Sequence, residues 1–269
     1  MNIKELTTMI EGKNDLERRT RQALLLWGVF IIAIIILNGT VQFAMGIDMH
    51  AWSYSETKSI LFGLIIYAGL FLVVPLILIK GWETVRDPEF LLPLLVAITA
   101  ITLFNTIRGI AAISIGVLVY LHWRFDLSEF GIRSRGWKGD VVVVLFLGLL
   151  SLVLVFLQPG PHSFMPVNAL LAALDRLFAN PASTVENLFY FGFLTERLSN
   201  KTKKLTPFLI GLMYTTHEVT NPEYWYEEMN FALVFFGVSI ISAIYLWRRS
   251  VLVIWISDGL MRFISRLFL

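Results

Sequence analysis

Cysteine is absent from the 269 residues, which removes disulfides, thiolate nucleophiles and Cys-ligated zinc from consideration. The redox compartment stays open, because membrane-embedded chains often do without the residue. Charge is scarce as well: 16% of residues are Asp, Glu, Lys or Arg against 57% hydrophobic, and mean hydropathy is +0.71. A soluble domain of that composition would have too little polar surface to cover itself. The net charge is only +2, and the basic residues fall in short loops beside apolar runs rather than in one patch with interleaved aromatics, which speaks against nucleic acid as a partner. There is no internal repeat, low-complexity tract or long linker, so a single membrane domain is the economical reading. A solute transporter built from matching halves with broken helices is correspondingly disfavoured.

What the chain does have is one apolar run after another. They lie at 23–46, 59–80, 90–107, 109–123, 141–157, 166–180, 184–198, 206–217, 229–247 and 250–268. A spanning helix needs about 20 predominantly apolar residues, and these runs mostly lack the polar stripe of a soluble core helix. The expected fold is all-α, a polytopic transmembrane bundle of about seven to nine spans occupying 23–269. The short runs at 166–180 and 206–217 are candidates for re-entrant or partial helices. The first run has no small-residue cleavage site close behind it and reads as a retained helix rather than a signal peptide.

Orientation follows from the basic residues. Lys4, Lys13, Arg18, Arg19 and Arg21 make residues 1–22 a cytoplasmic lead-in lying on the membrane surface. Further basic clusters at Lys80 and Arg86, from Arg124 to Lys138, from Lys201 to Lys204, and at Arg248 and Arg249 fit an N-in topology. Glu218, Glu223, Glu227 and Glu228 then lie outside, unless the run at 166–180 crosses fully and reverses the parity. The expected location is a cell membrane, with multiple passes and a cytoplasmic N-terminus.

An ionisable side chain inside an apolar helix costs about 2.5–3.5 kcal/mol on insertion scales, so each one needs a reason. Glu186, His217, Asp258 and Arg262 qualify. Glu186 sits in Val185-Glu186-Asn187-Leu188-Phe189-Tyr190-Phe191-Gly192 just after Pro181. It is either a functional carboxylate or the N3 residue of a capping box whose N-cap is Ser183. His217 ends an apolar helix, where an imidazole can ligate a metal, act as a base or stabilise a helix C-terminus. His217-Glu218 begins like a zincin motif, but the residue four after His217 is Asn221, so the second ligand of HExxH is missing. No Gly-x-Ser-Gly nucleophile appears, and no second intramembrane aspartate has the setting of an aspartyl dyad. Asp258 and Arg262, four residues apart, face one side of the last helix and can simply pair. Asn105 and Arg108 support no mechanism, and His50, His122 and His162 lie near run ends or in loops.

Taken together these segments resemble the CPBP family, the CaaX prenyl endopeptidase and bacteriocin-processing (Abi) proteins, whose catalytic region has three motifs on successive membrane helices. The resemblance covers roughly residues 120–265 and begins with Phe130-Gly131-Ile132-Arg133 and Gly136-Trp137-Lys138-Gly139-Asp140. In the first motif, a Glu-Glu pair followed by three residues and Arg-Gly, Glu186 takes the first glutamate and Gly192 the glycine. Asn187 and Phe191 replace the second glutamate and the arginine. Met213 and His217 match the second motif, and Asp258 and Arg262 stand where the third has histidine and asparagine or aspartate.

The resemblance implies an intramembrane endopeptidase that hydrolyses a peptide bond of a membrane-associated protein or peptide, prenylated or not. Glu186 would be its general base, and His217 would hold the water or a metal. Asp258 would be a further ligand in a Glu186, His217, Asp258 set for a divalent metal, zinc being the candidate, and Arg262 an electrostatic helper. Its partners would be membrane lipid and the substrate. The four replaced positions motivate the alternative, a catalytically silent CPBP-like scaffold or partner-binding protein.

Overall fold

The computed structural model describes residues 3–102, 110–157, 181–222, 225 and 230–267. The run at 166–180, Asn105, Arg108, His162, Glu223, Glu227 and Glu228 lie outside the described residues. Among those described, the backbone is mostly helical and contains no strand. Where no water is available to satisfy backbone N–H and C=O groups, a helix that satisfies its own is the natural solution.

In chain order the helices are α1 (Ile3–Gly39), α2 (Met49–Ser53), α3 (Glu56–Lys80), α4 (Pro88–Thr102), α5 (Ile110–Phe125), α6 (Trp137–Leu157), α7 (Pro181–Asn187), α8 (Thr195–Thr202), α9 (Thr206–Thr220), α10 (Phe231–Arg248) and α11 (Val251–Leu267). Four segments are long and apolar enough to cross a membrane: Asn14–Ala44, Glu56–Lys80, Trp137–Leu157 and Phe231–Arg248. They mark the chain as a membrane protein, and their outer surfaces agree. On α6, Val142, Leu145, Phe146, Leu149, Phe156 and Leu157 are all exposed, an apolar surface that lipid tolerates and water does not. The helix α1 runs unbroken from the polar lead-in into the first span.

By their internal contacts the residues divide into two units, 1–58 with 193–246 and 59–192 with 247–269. In the first, α1 packs along α8 and α9. Thr20 Oγ donates to the Arg197 carbonyl at 3.1 Å, Asn38 Nδ2 to the Thr220 carbonyl at 3.0 Å, and Trp52 Nε1 to Asn38 Oδ1 at 3.2 Å. Such links hold apolar helices together where burial gives no preference for a neighbour over lipid.

In the second unit, the wide π-helical turns Phe62–Val73 inside α3 bring Phe71 face to face with Phe189, ring centroids 4.1 Å apart, and edge-on to Tyr190 at 5.7 Å. These offset and edge arrangements suit the aromatic quadrupole. In the same unit α6 lies on α11, and its start is fixed to the end of α10: Arg248 pairs with Asp140 at 2.8 Å and donates to the Gly136 carbonyl at 2.9 Å. Both charges of that pair are mostly buried.

The segment Phe130-Gly131-Ile132-Arg133 ties this unit together. The Phe130 carbonyl oxygen would lie 1.9 Å from a Cβ at Gly192. The Gly131 carbonyl accepts the Val251 N–H at 2.9 Å, and Arg133 Nε donates to the Arg249 carbonyl at 3.1 Å. Gly131 itself adopts φ of +69°, which glycine takes without penalty. One short turn therefore sets both the π-helical segment after α7 and the start of α11.

Replacing Gly192 by alanine forces a methyl into a backbone carbonyl that cannot swing away, and overpacking of this kind costs about 1–3 kcal/mol or more. Gly237, where a Cβ meets nothing within 4 Å, is the control. Thermal unfolding in detergent is expected to show a clear fall in midpoint for Gly192→Ala and no fall for Gly237→Ala.

Candidate functional site

The helix carrying Glu186 has begun by Pro181, so Ser183 is an internal residue of α7 and not the N-cap that a capping box requires. Proline presets the helical φ and has no N–H to leave unsatisfied, which lets the helix start two residues earlier. From Ser183 to Gly192 every residue is buried except Glu186, which is half-buried. The carboxylate thus stands on the one face of this segment that apolar side chains do not seal.

The partners on that face come from α11. Arg262 Nε donates to Asp258 Oδ1 at 3.1 Å, and Arg262 Nη2 donates to Ser183 Oγ at 3.0 Å. Glu186 lies near enough to Asp258 for the two carboxylates to bear on each other. Ser183, Glu186, Asp258 and Arg262 therefore form a polar cluster on two helices. The side chains of Asp258 and Arg262 are 30% and 44% exposed, so the cluster opens outward and is not sealed. The pairing expected from four-residue spacing is present, with the acid on the N-terminal side, the favourable order on a helix.

His217 belongs to the other unit. It occupies the last turn of α9 and is 1% exposed. Its ring meets Phe30 edge-on, centroids 5.0 Å apart and planes at 89°, and Tyr214 at 5.8 Å. Its backbone carbonyl accepts from Thr220 Oγ1 at 2.9 Å and from the Asn221 N–H at 3.1 Å, closing the helix end.

For a metal, the donor types are suitable. Asp258 is already engaged by a guanidinium, and a divalent ion at the same oxygen would have to displace that charge. Among the described residues no group of three or more His, Asp or Glu side chains is drawn together as a metal site requires.

Sequence reasoning passed over several buried or half-buried polar residues. Ser183, the N-cap in one of the two readings of this helix start, is the anchor of Arg262, a partner 79 positions away with no local signature. Glu196 accepts from the Tyr245 hydroxyl at 2.6 Å, and Arg197, 4% exposed, carries its guanidinium 4.3 Å from the Phe193 ring centroid. These two had a legible signal, since both lie within the apolar run at 184–198 and the intramembrane-charge criterion applies to them as it does to Glu186. Glu218, also buried, was assigned to an outer acidic stretch. No protein-family model matches the chain, nor does any curated protein or solved structure.

Because Arg262 is the cation beside two carboxylates, its loss should cost more than the loss of either. A double-mutant cycle with Asp258→Asn and Arg262→Gln, read by thermal unfolding in detergent, is expected to give a coupling of about 0.5–1 kcal/mol, the size fitting a part-exposed pair. Arg262→Gln is expected to be the more destabilising single change.

Proposed function

We propose that the chain is a CPBP-like intramembrane endopeptidase acting on a peptide bond of a membrane-associated protein or peptide. In this reading it crosses a cell membrane about seven to nine times with its N-terminus in the cytoplasm. The observation that supports the reading is the convergence of Glu186 with Asp258 and Arg262 in an outward-opening polar cluster. Residues separated by some seventy positions in the chain thus share one cluster.

The chemistry would run through this cluster as follows. Glu186 takes a proton from water as the water oxygen bonds to the scissile carbonyl carbon. The carbonyl π electrons move to oxygen, and Arg262, held by Asp258 and Ser183, lends positive charge to that oxyanion. As the C–N bond breaks, Glu186 returns the proton to the leaving amine, giving a free carboxyl and amino end. His217 lies in the other unit and takes no step in this chemistry. No step is routed through a metal.

The alternative is a catalytically silent CPBP-like scaffold or partner-binding protein. The Asp258–Arg262 ion pair favours it, because a guanidinium committed to a neighbouring carboxylate is a sufficient structural explanation for both charges.

The test is cleavage of a panel of membrane-tethered peptides by purified protein in liposomes, with and without chelator. Positioned general bases contribute about 10²–10⁴-fold, so Glu186→Gln is expected to lose at least about a hundredfold in rate while folding normally. His217→Ala, losing cleavage in parallel, would bring the second motif into the mechanism, and chelator sensitivity would restore a metal. A folded wild type that cleaves nothing in the panel decides for the silent scaffold.

A further inference from the structure

An open groove of about 470 Å³ runs between α4 and α5, lined by Pro88, Glu89, Leu92, Pro93, Val96 and Tyr120 among others. Its volume falls within the range of ordinary small-molecule sites. From Pro88 to Val96 it follows about 12 Å of helix, close to the roughly 15 Å depth of one leaflet's hydrocarbon. Its inner wall is apolar and partly exposed: Leu92 is 67% accessible.

The outer end of the groove is charged and aromatic. Arg124 pairs with Glu89 there, and its guanidinium lies 5.6 Å from the Tyr120 ring centroid. Trp82, Trp123 and Trp137 are exposed in the same unit, and Lys80, Arg86 and Arg124 belong to the same stretch of helix ends. Exposed tryptophans with basic residues are the signature of a membrane–water interface. The groove therefore starts at headgroup level and descends into the acyl region.

Pro93 adds a feature that neither charge supplies. Lacking an N–H, it leaves the Glu89 carbonyl without the i+4 donor that an ordinary α-helix would give it. The mouth of the groove thus holds, within one residue, a carboxylate and an under-satisfied backbone acceptor, with a guanidinium alongside. That set matches a phosphate joined to a primary ammonium: phosphate on Arg124, ammonium on the Glu89 carboxylate and carbonyl, acyl chain against Leu92 and Val96. An anionic headgroup without an amine would meet the Glu89 charge unfavourably. A quaternary amine has no N–H to donate.

We infer that the α4–α5 groove is a binding site for a phospholipid with a primary-amine zwitterionic headgroup, the phosphatidylethanolamine class. It rests on none of the residues proposed for hydrolysis.

The experiment is retention of lipid by the purified full-length protein in detergent, probed with phosphatidylethanolamine, phosphatidylcholine and phosphatidylglycerol of identical acyl chains, and read by native mass spectrometry. Wild type is expected to retain phosphatidylethanolamine about tenfold over each of the others. Glu89→Gln should abolish that preference, and Val96→Trp, which fills the groove, should lower retention of all three lipids. Equal retention of the ethanolamine and choline lipids by wild type overturns the inference whether or not the variants fold. So does a preference for phosphatidylglycerol, or an ethanolamine preference that survives Glu89→Gln in a folded variant.

Discussion

The close approach of the Phe130 carbonyl to the bare Cα of Gly192 is the constraint from which the site's geometry follows. Gly192 lies six residues after Glu186 on the same continuous helical stretch, so its seat fixes how the carboxylate is presented. The next carbonyl, that of Gly131, holds the start of α11 through Val251, and α11 delivers Asp258 and Arg262. Backbone contacts do this work better than side chains, because a carbonyl in a turn closed at both ends has no rotamer to escape into. The apolar faces of these helices give little orientation of their own, since lipid would cover them equally well. A few close backbone contacts and polar links decide the packing.

The cluster that this geometry assembles places two carboxylates beside one guanidinium. In a medium of low dielectric, two like charges that close cannot both be held without a cation. Arg262 meets that need, and Ser183 holds its far end, so its structural role is sufficient to keep it in place. Catalysis and structure make the same demand here: a charge positioned to stabilise a neighbouring carboxylate is also positioned to stabilise an oxyanion formed next to it. This is why the ion pair supports the silent reading without removing the hydrolytic one.

Much of the fold was legible in the sequence because its signal is local. Composition and run length gave an all-helical membrane protein, and the four long apolar helices bear that out. The Asp258–Arg262 pair was legible for the same reason, being written in a spacing of four. The role of Ser183 was not, since its partner lies 79 residues off. Nor was the continuity of α1: polarity changes near Ala23, but good helix formers carry the backbone through, and hydropathy reports solvent rather than backbone geometry. His217 was legible as an outlier in an apolar helix, whereas its aromatic surroundings depend on Phe30 from a helix far away in sequence.

Where charge stands along these helices has a physical account. Asn187 and Phe191 are 9% and 3% exposed. A charged pair there would have to recover several kcal/mol of desolvation per ion from its own attraction, and such pairs are often no better than apolar packing of the same volume. An asparagine and a phenylalanine avoid that penalty. Glu186, Asp258 and Arg262 lie where the packing leaves them partly open. At these five positions charge follows accessibility: the two sealed ones carry none, and the three partly open ones do.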